Sequence, residues 1–196
     1  MLLTAAYTYA KSTDLNTDDD STPLFNAVAY QYRNKAVSDF DRRHVLALGT
    51  TAELPFGRNH LLLKDPGIAR AILGGWKANA WLSAYTGLPL TPPASGTSLN
   101  APFNTQVANR VKSEVATLGG IGKAATWFDT SAFAPVTTAA FGTASRNSLR
   151  GPKGAGLDLG ISRTFAILDT VHFEIKGDAF NLTNSPFFAN PANNVS

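Results

Sequence analysis

GLDLGISRTFAILDTVHFEIKGDAFNLTNSPFFANP, residues Gly156 to Pro191, decides the fold of this chain. It reads as two strands joined by a tight turn at Leu168, Asp169 and Thr170. An antiparallel register about that turn sets Ile167 opposite Val171, Phe165 opposite Phe173, Ile161 opposite Gly177 and Leu159 opposite Ala179, an almost wholly apolar face. The other face carries Thr164 opposite Glu174, Ser162 opposite Lys176, Gly160 opposite Asp178 and Asp158 opposite Phe180. Side chains alternate across a strand, so one register sorts both arms at once into a face for hydrocarbon or core and a face for water.

Two architectures use such a hairpin: a soluble antiparallel sheet with one wet face, and a transmembrane barrel with lipid outside and a wet lumen. Length separates them. Soluble strands run roughly 5 to 6 residues and tilted outer-membrane strands roughly 9 to 11. Leu157 to Ile167 and Val171 to Asn181 are 11 residues each.

Working outward, three further strands are expected: Leu3 to Ser12, His44 to Leu54 and Trp76 to Gly87. In the last, Trp76, Ala78, Ala80, Leu82 and Ala84 form an apolar row of mostly small residues, and Lys77, Asn79, Trp81, Ser83 and Tyr85 a mixed one. The five strands are separated by connectors of 31, 21, 69 and 3 residues. Long and shorter connectors alternate, as in an outer-membrane meander with long outer loops and short periplasmic turns. Strands one, three and five then run outward. The 69-residue connector, Leu88 to Gly156, is Pro- and Gly-rich and too long for an ordinary loop of a compact soluble domain. Its apolar pieces, Trp127, Phe128, Phe133 and Phe141, point to a loop that packs on itself or over a barrel mouth. Leu61 to Leu73 has room for a short helix, interrupted by Pro66 and Gly67. Tyr7, Tyr9, Trp76, Trp81, Tyr85, Phe165 and Phe173 stand where the aromatic girdles of a membrane barrel would want them, although a soluble core would use them equally well.

Composition narrows the function classes. Charged residues are 16% of the chain, against roughly 25% in soluble domains. The net charge of +3 comes from scattered Lys and Arg without a dense basic run, so nucleic acid is not an expected partner. The absence of cysteine excludes disulfides, thiolate metal sites and cysteine nucleophiles. No window approaches 18 apolar residues, which excludes a transmembrane helix. The opening MLLTAAYTYAKS alternates like a strand and lacks a signal peptide's basic start, so any export signal is expected to lie elsewhere.

No catalytic constellation stands out, and no enzyme activity or cofactor is expected. Asp14, Asn16, Asp18 and Asp20 alternate as calcium-loop ligands do, but Asp19 occupies the loop-glycine position and Phe25 that of the closing Glu. A solvated loop is the simpler reading. Gly119, Gly120, Gly122 and Lys123 lack the first glycine and the Ser or Thr of a phosphate loop. Gly151, Gly154 and Gly156 read as a flexible approach to strand four. His44, His60 and His172 fall at unrelated places.

Five phrases in one order then carry a resemblance: DFDRRHVLALGTTAELPFG (Asp39 to Gly57), ILGGWKANAWLSAYTGLPLT (Ile72 to Thr91), WFDTSAFA (Trp127 to Ala134), RNSLRGPKGAGLDLGISRTF (Arg146 to Phe165) and FEIKGDAFNLTNSPFFANP (Phe173 to Pro191). Together they resemble the C-terminal barrel region of TonB-dependent outer-membrane receptors, with the Oar-like branch nearest. The resemblance implies a 22-stranded barrel with an N-terminal plug, importing a large scarce ligand of siderophore, cobalamin or oligosaccharide type with energy delivered through TonB. Its partners would be outer-membrane lipid, that ligand, and the TonB system through parts missing from this chain.

Residues 1–196 are thus expected to be one partial receptor barrel domain in the bacterial outer membrane, without plug, signal peptide or final strand. The fold class is all-β, an antiparallel up-and-down transmembrane barrel segment of about five long strands. Five strands cannot close a barrel, since the smallest single-chain barrels use about eight, so the segment is not competent for transport alone. Asp158, Glu174, Lys176 and Asp178 are expected to face the lumen. Arg163 falls on the lipid face, where it either snorkels to the periplasmic interface or is turned inward by a bulge between Ser162 and Ala166. The alternative is a soluble all-β binding or adhesion module that packs the same strands as a sandwich.

Overall fold

The computed structural model of the chain describes residues 1–17, 23–57, 61–62, 65–121 and 125–192. Five strands form one antiparallel sheet: β1 (Leu2–Tyr9), β2 (His44–Glu53), β3 (Lys77–Tyr85), β4 (Gly154–Leu168) and β5 (Val171–Ala179). Their order in the sheet is their order in the chain, an up-and-down meander. A short helix, α1 (Ile68–Leu73), begins just past the Pro66–Gly67 break. No helix among the described residues is long and apolar enough to cross a membrane, which says nothing of strands.

The two-faced pattern extends across four strands. On one face Leu48, Leu82 and Leu157 stand in a row, followed by Thr50, Ala80, Leu159 and Ala179, then Ala52, Ala78, Ile161 and Gly177. The opposite face carries Gly49, Trp81 and Asp158, then Thr51, Asn79, Gly160 and Asp178, then Glu53, Lys77, Ser162 and Lys176. Many apolar side chains of this unit are exposed, among them Leu3, Tyr7, Ile161, Phe173 and Ile175. Such a surface is suited to lipid rather than to water.

The β4–β5 register agrees with the expected one from Leu159↔Ala179 to Phe165↔Phe173 and departs at the open end and at the turn. At the turn Leu168, not Ile167, faces Val171, because the register shifts between Ala166 and Leu168. Ile167 is the extra residue of a bulge, and the turn is Asp169–Thr170 alone. At the other end β5 stops at Ala179, short of Asn181. Asn181 adopts φ 50°, and its side chain receives the backbone N–H of Ser185 at 2.9 Å, so a turn replaces the expected last pair. Asp158 therefore meets no strand partner at Phe180 and instead accepts the N–H of Asn181 at 2.7 Å.

Arg163 is paired with Ile175 and keeps the parity of Ile161 and Phe165, on the apolar face. The bulge lies beyond it and does not turn it inward. Its guanidinium lies 4.3 Å from the centre of the Phe165 ring and donates to the carbonyl of Ile72 in α1 at 2.8 Å. It reaches along the apolar face toward the β2–β3 connector.

The chain divides into two compact units, one holding the strands, the other the two long connectors. The connector unit has its own core of Phe25, Leu90, Val107, Ala108, Phe128, Ala132, Phe133 and Ala144, with Trp127 and Phe141 packed against it. Phe128 and Phe133 meet edge to face at 5.9 Å, and so do Phe25 and Phe141 at 5.1 Å. The Pro-rich connector does pack on itself, and it takes Phe25 of the first connector into the same core. Three two-residue ladders tie it further: Thr13–Asp14 with Ala36–Val37, Pro89–Leu90 with Leu149–Arg150, and Asn109–Arg110 with Phe133–Ala134.

Candidate functional site

A groove of about 490 Å³ opens on the polar face of the sheet. Thr51, Asn79, Trp81, Asp158, Lys176 and Asp178 contribute to its lining. Two glycines make room for it. A side chain at Gly160 would come within 2.6 Å of the Asp178 carboxylate, so the glycine lets Asp178 lean across the neighbouring strand toward Asn79. A side chain at Gly49 would meet the Trp81 ring at 3.0 Å, so the glycine leaves room for the indole.

The structure brings three of the four expected residues to this groove, Asp158, Lys176 and Asp178, and leaves Glu174 one step nearer the turn, opposite Thr164. Lys176 and Asp178 form an ion pair at 3.1 Å. Both are substantially exposed, and such pairs contribute about 0–1 kcal/mol. Trp81 is the chief aromatic departure. It stands mid-strand on the polar face, against Gly49, whereas Phe165 and Phe173 pair near the turn with ring centres 6.4 Å apart.

The connector unit is held by two arginines, one of them buried. Arg146, 7% exposed, pairs with Asp14 at 2.6 Å and Asp39 at 3.1 Å, and donates to the Thr17 hydroxyl at 2.6 Å and the Asn34 carbonyl at 3.1 Å. Asn147 beside it donates to Asp39 and to the carbonyl of Val37. Arg150 pairs with the buried carboxylate of Asp41, which also accepts the N–H of Ser12 at 2.8 Å. Burial pushes the Asp14 and Asp41 carboxyls up, but hydrogen bonds and the charges of Arg146 and Arg150 outweigh it and hold both below the usual carboxylate range. Asp14 is thus engaged by a guanidinium and a hydroxyl; Asp18, Asp19 and Asp20 lie outside the described residues, as do His60, Gly122 and Lys123. Among the described residues no cluster of His, Asp and Glu has the makings of a metal centre.

The model of the outer membrane beta barrel domain family matches the chain from residue 1 to residue 196. The chain belongs to that family. No curated protein and no solved structure matches it.

As an outer membrane beta-barrel domain, the protein resides in the bacterial outer membrane, and the five-stranded meander is an incomplete barrel. The arginine network of this barrel domain is what its sequence concealed. Arg146, Asn147 and Arg150 sit together in RNSLRG, yet their carboxylate partners lie more than a hundred residues away in the first connector. The glycines that follow are not flexible spacers. Gly151 donates to the Leu88 carbonyl at 2.8 Å, and a side chain at Gly154 would strike the Tyr85 ring at 2.6 Å.

Proposed function

We propose that this barrel segment is part of a TonB-dependent receptor of the Oar-like kind, which takes up a large, scarce ligand of siderophore, cobalamin or oligosaccharide type. The observation that carries the reading is the folded state of the two long connectors. They share one aromatic core and one ion network centred on the buried Arg146, so they offer a fixed surface, and a preordered surface loses little entropy on capturing a ligand. The groove on the polar face favours a water-filled interior, with Asp158, Lys176 and Asp178 along the groove and Glu174 on the same face nearer the turn. The segment supplies ligand-binding surface and part of the lumen wall, and no chemistry is assigned to it. Five strands cannot close a lumen, so import requires further strands, a gate and energy from the TonB system.

The test is genetic. A strain lacking the gene, grown with iron, cobalamin or an oligosaccharide limiting, is expected to fail on one of them, and loss of TonB is expected to reproduce that failure. Normal growth on all three, or a defect indifferent to TonB, would sink the reading. The barrel itself is tested separately by a heat-dependent shift in gel mobility of the native protein extracted from outer membranes.

A further inference from the structure

Within the connector unit lies a second pocket, of about 440 Å³, to which Arg43, His44, Trp127, Arg150 and Lys153 contribute, with Gly87 and Gly151. Its frame is fixed. Gly151 donates to the Leu88 carbonyl at 2.8 Å, and any side chain at Gly87 would overlap the Gly151 carbonyl, so two segments cross there at backbone distance. The Trp127 indole N–H is tied to the Arg150 carbonyl at 2.7 Å, which sets the ring. The Arg150 guanidinium is held by the Asp41 carboxylate and by the carbonyls of Asp41 at 2.7 Å and Gly87 at 3.3 Å.

Charge around the pocket does not balance. Arg43, Arg150 and Lys153 supply three permanent cations, and Asp41, committed to Arg150 and the Ser12 N–H, supplies one carboxylate. Among the described residues neither Arg43 nor Lys153 has a carboxylate within ion-pair distance, the charge of Arg43 acting on Asp41 only from beyond it, and the Nε of Arg43 is buried without a hydrogen bond. A buried donor left without an acceptor is costly, so such an atom asks for an explanation. A dianionic oxyanion supplies both the acceptor and the two missing negative charges, and guanidinium forks match its geometry. The volume exceeds what a bare anion fills, and the fixed face of Trp127 provides an apolar wall for the rest of the ligand.

We infer that this pocket binds a phosphorylated ligand, the phosphate on Arg43, Arg150 and Lys153 and its sugar or ring body against Trp127. Two sources offer that chemistry, the phosphorylated glycolipid of the outer leaflet and a soluble sugar phosphate. The inference does not depend on TonB-driven uptake.

The full-length protein, extracted from outer membranes and delipidated in neutral detergent, is titrated with phosphorylated lipid A in mixed micelles and with glucose 1-phosphate, with glucose as the uncharged control. At least one phosphorylated probe is expected to bind, more weakly at high salt, and glucose is not. Arg43→Gln is expected to weaken that binding by roughly tenfold or more, the loss of a charge-assisted contact. Lys153→Gln, an exposed side chain whose removal leaves the fold alone, is expected to weaken it roughly threefold, and Lys35→Gln not at all. Binding of lipid A alone assigns the site to the membrane, and binding of glucose 1-phosphate alone to a soluble ligand; either supports the inference. Binding of neither probe, or equal binding by wild type, Arg43→Gln and Lys153→Gln, overturns it.

Discussion

At Arg146 one guanidinium joins segments of chain as much as 132 positions apart. It is nearly inaccessible, and its partners Asp14, Thr17, Asn34 and Asp39 all come from the first connector. Removing one side of a buried pair strands the other charge at about 3–5 kcal/mol; Asp39 is well exposed and Asp14 partly so, which trims the figure. Arg146→Met is therefore expected to destabilise the connector unit by about 2–3 kcal/mol, and Arg146→Lys to rescue little because an ammonium cannot span the same fork. Amide exchange over residues 13–17 and 34–39 is the measurement; unchanged protection in Arg146→Met would refute the role given to this side chain. The same carboxylates set a pH dependence. Asp14 and Asp41 have lowered values in the folded state, so their contribution is fully present above the unfolded value of about 3.9 and is lost as pH falls below it toward the folded value. The connectors are expected to hold their exchange protection from pH 7 to about 4 and to lose it below that. Loosening already between pH 5 and 6 would contradict the assignment.

Among the elements, the β4–β5 hairpin was legible because both arms alternate and a one-residue slip would place Lys176 and Asp178 among apolar neighbours. Its turn was misjudged by one residue, since Leu168, Asp169 and Thr170 include no Gly or Asn to mark a turn type, and nothing local reveals that Ile167 is left over. The connector core was only half legible. Phe128 and Phe133 announce an apolar cluster, but Phe25 and Val107 reach it through contacts of long sequence separation that periodicity does not report. The chain has no native cysteine, so single cysteines can be read without background. Cysteines at Ile161 and Phe165 are expected to resist a water-soluble maleimide in the native membrane and to respond to a lipid-phase quencher. At Ser162 and Thr164 the order should reverse, and loss of alternation would refute the register. Arg163→Leu should leave that alternation intact while lowering amide protection across Ile68–Leu73, because the guanidinium's bond to Ile72 is gone. Equal protection of α1 in both proteins would show the contact to be unimportant.

For the molecule as a whole, β1 and β5 are the ends of the sheet, and each turns one edge of backbone N–H and C=O groups outward. In hydrocarbon each unpaired group costs several kcal/mol. The 196 residues expressed alone are accordingly expected to give no heat-shifted monomer band in detergent extracts, whereas the closed native barrel gives one; a heat-shifted monomer from the isolated segment would mean that its edges find each other. The connectors carry a different kind of constraint, visible at Arg146 and Arg150. Their charges sit in one connector and the answering carboxylates in the other. Neither connector can be transplanted, shortened or diversified by itself without exporting an unmatched charge, so recombination between barrels of this kind is expected to exchange the two connectors together, across the strands that separate them in the gene.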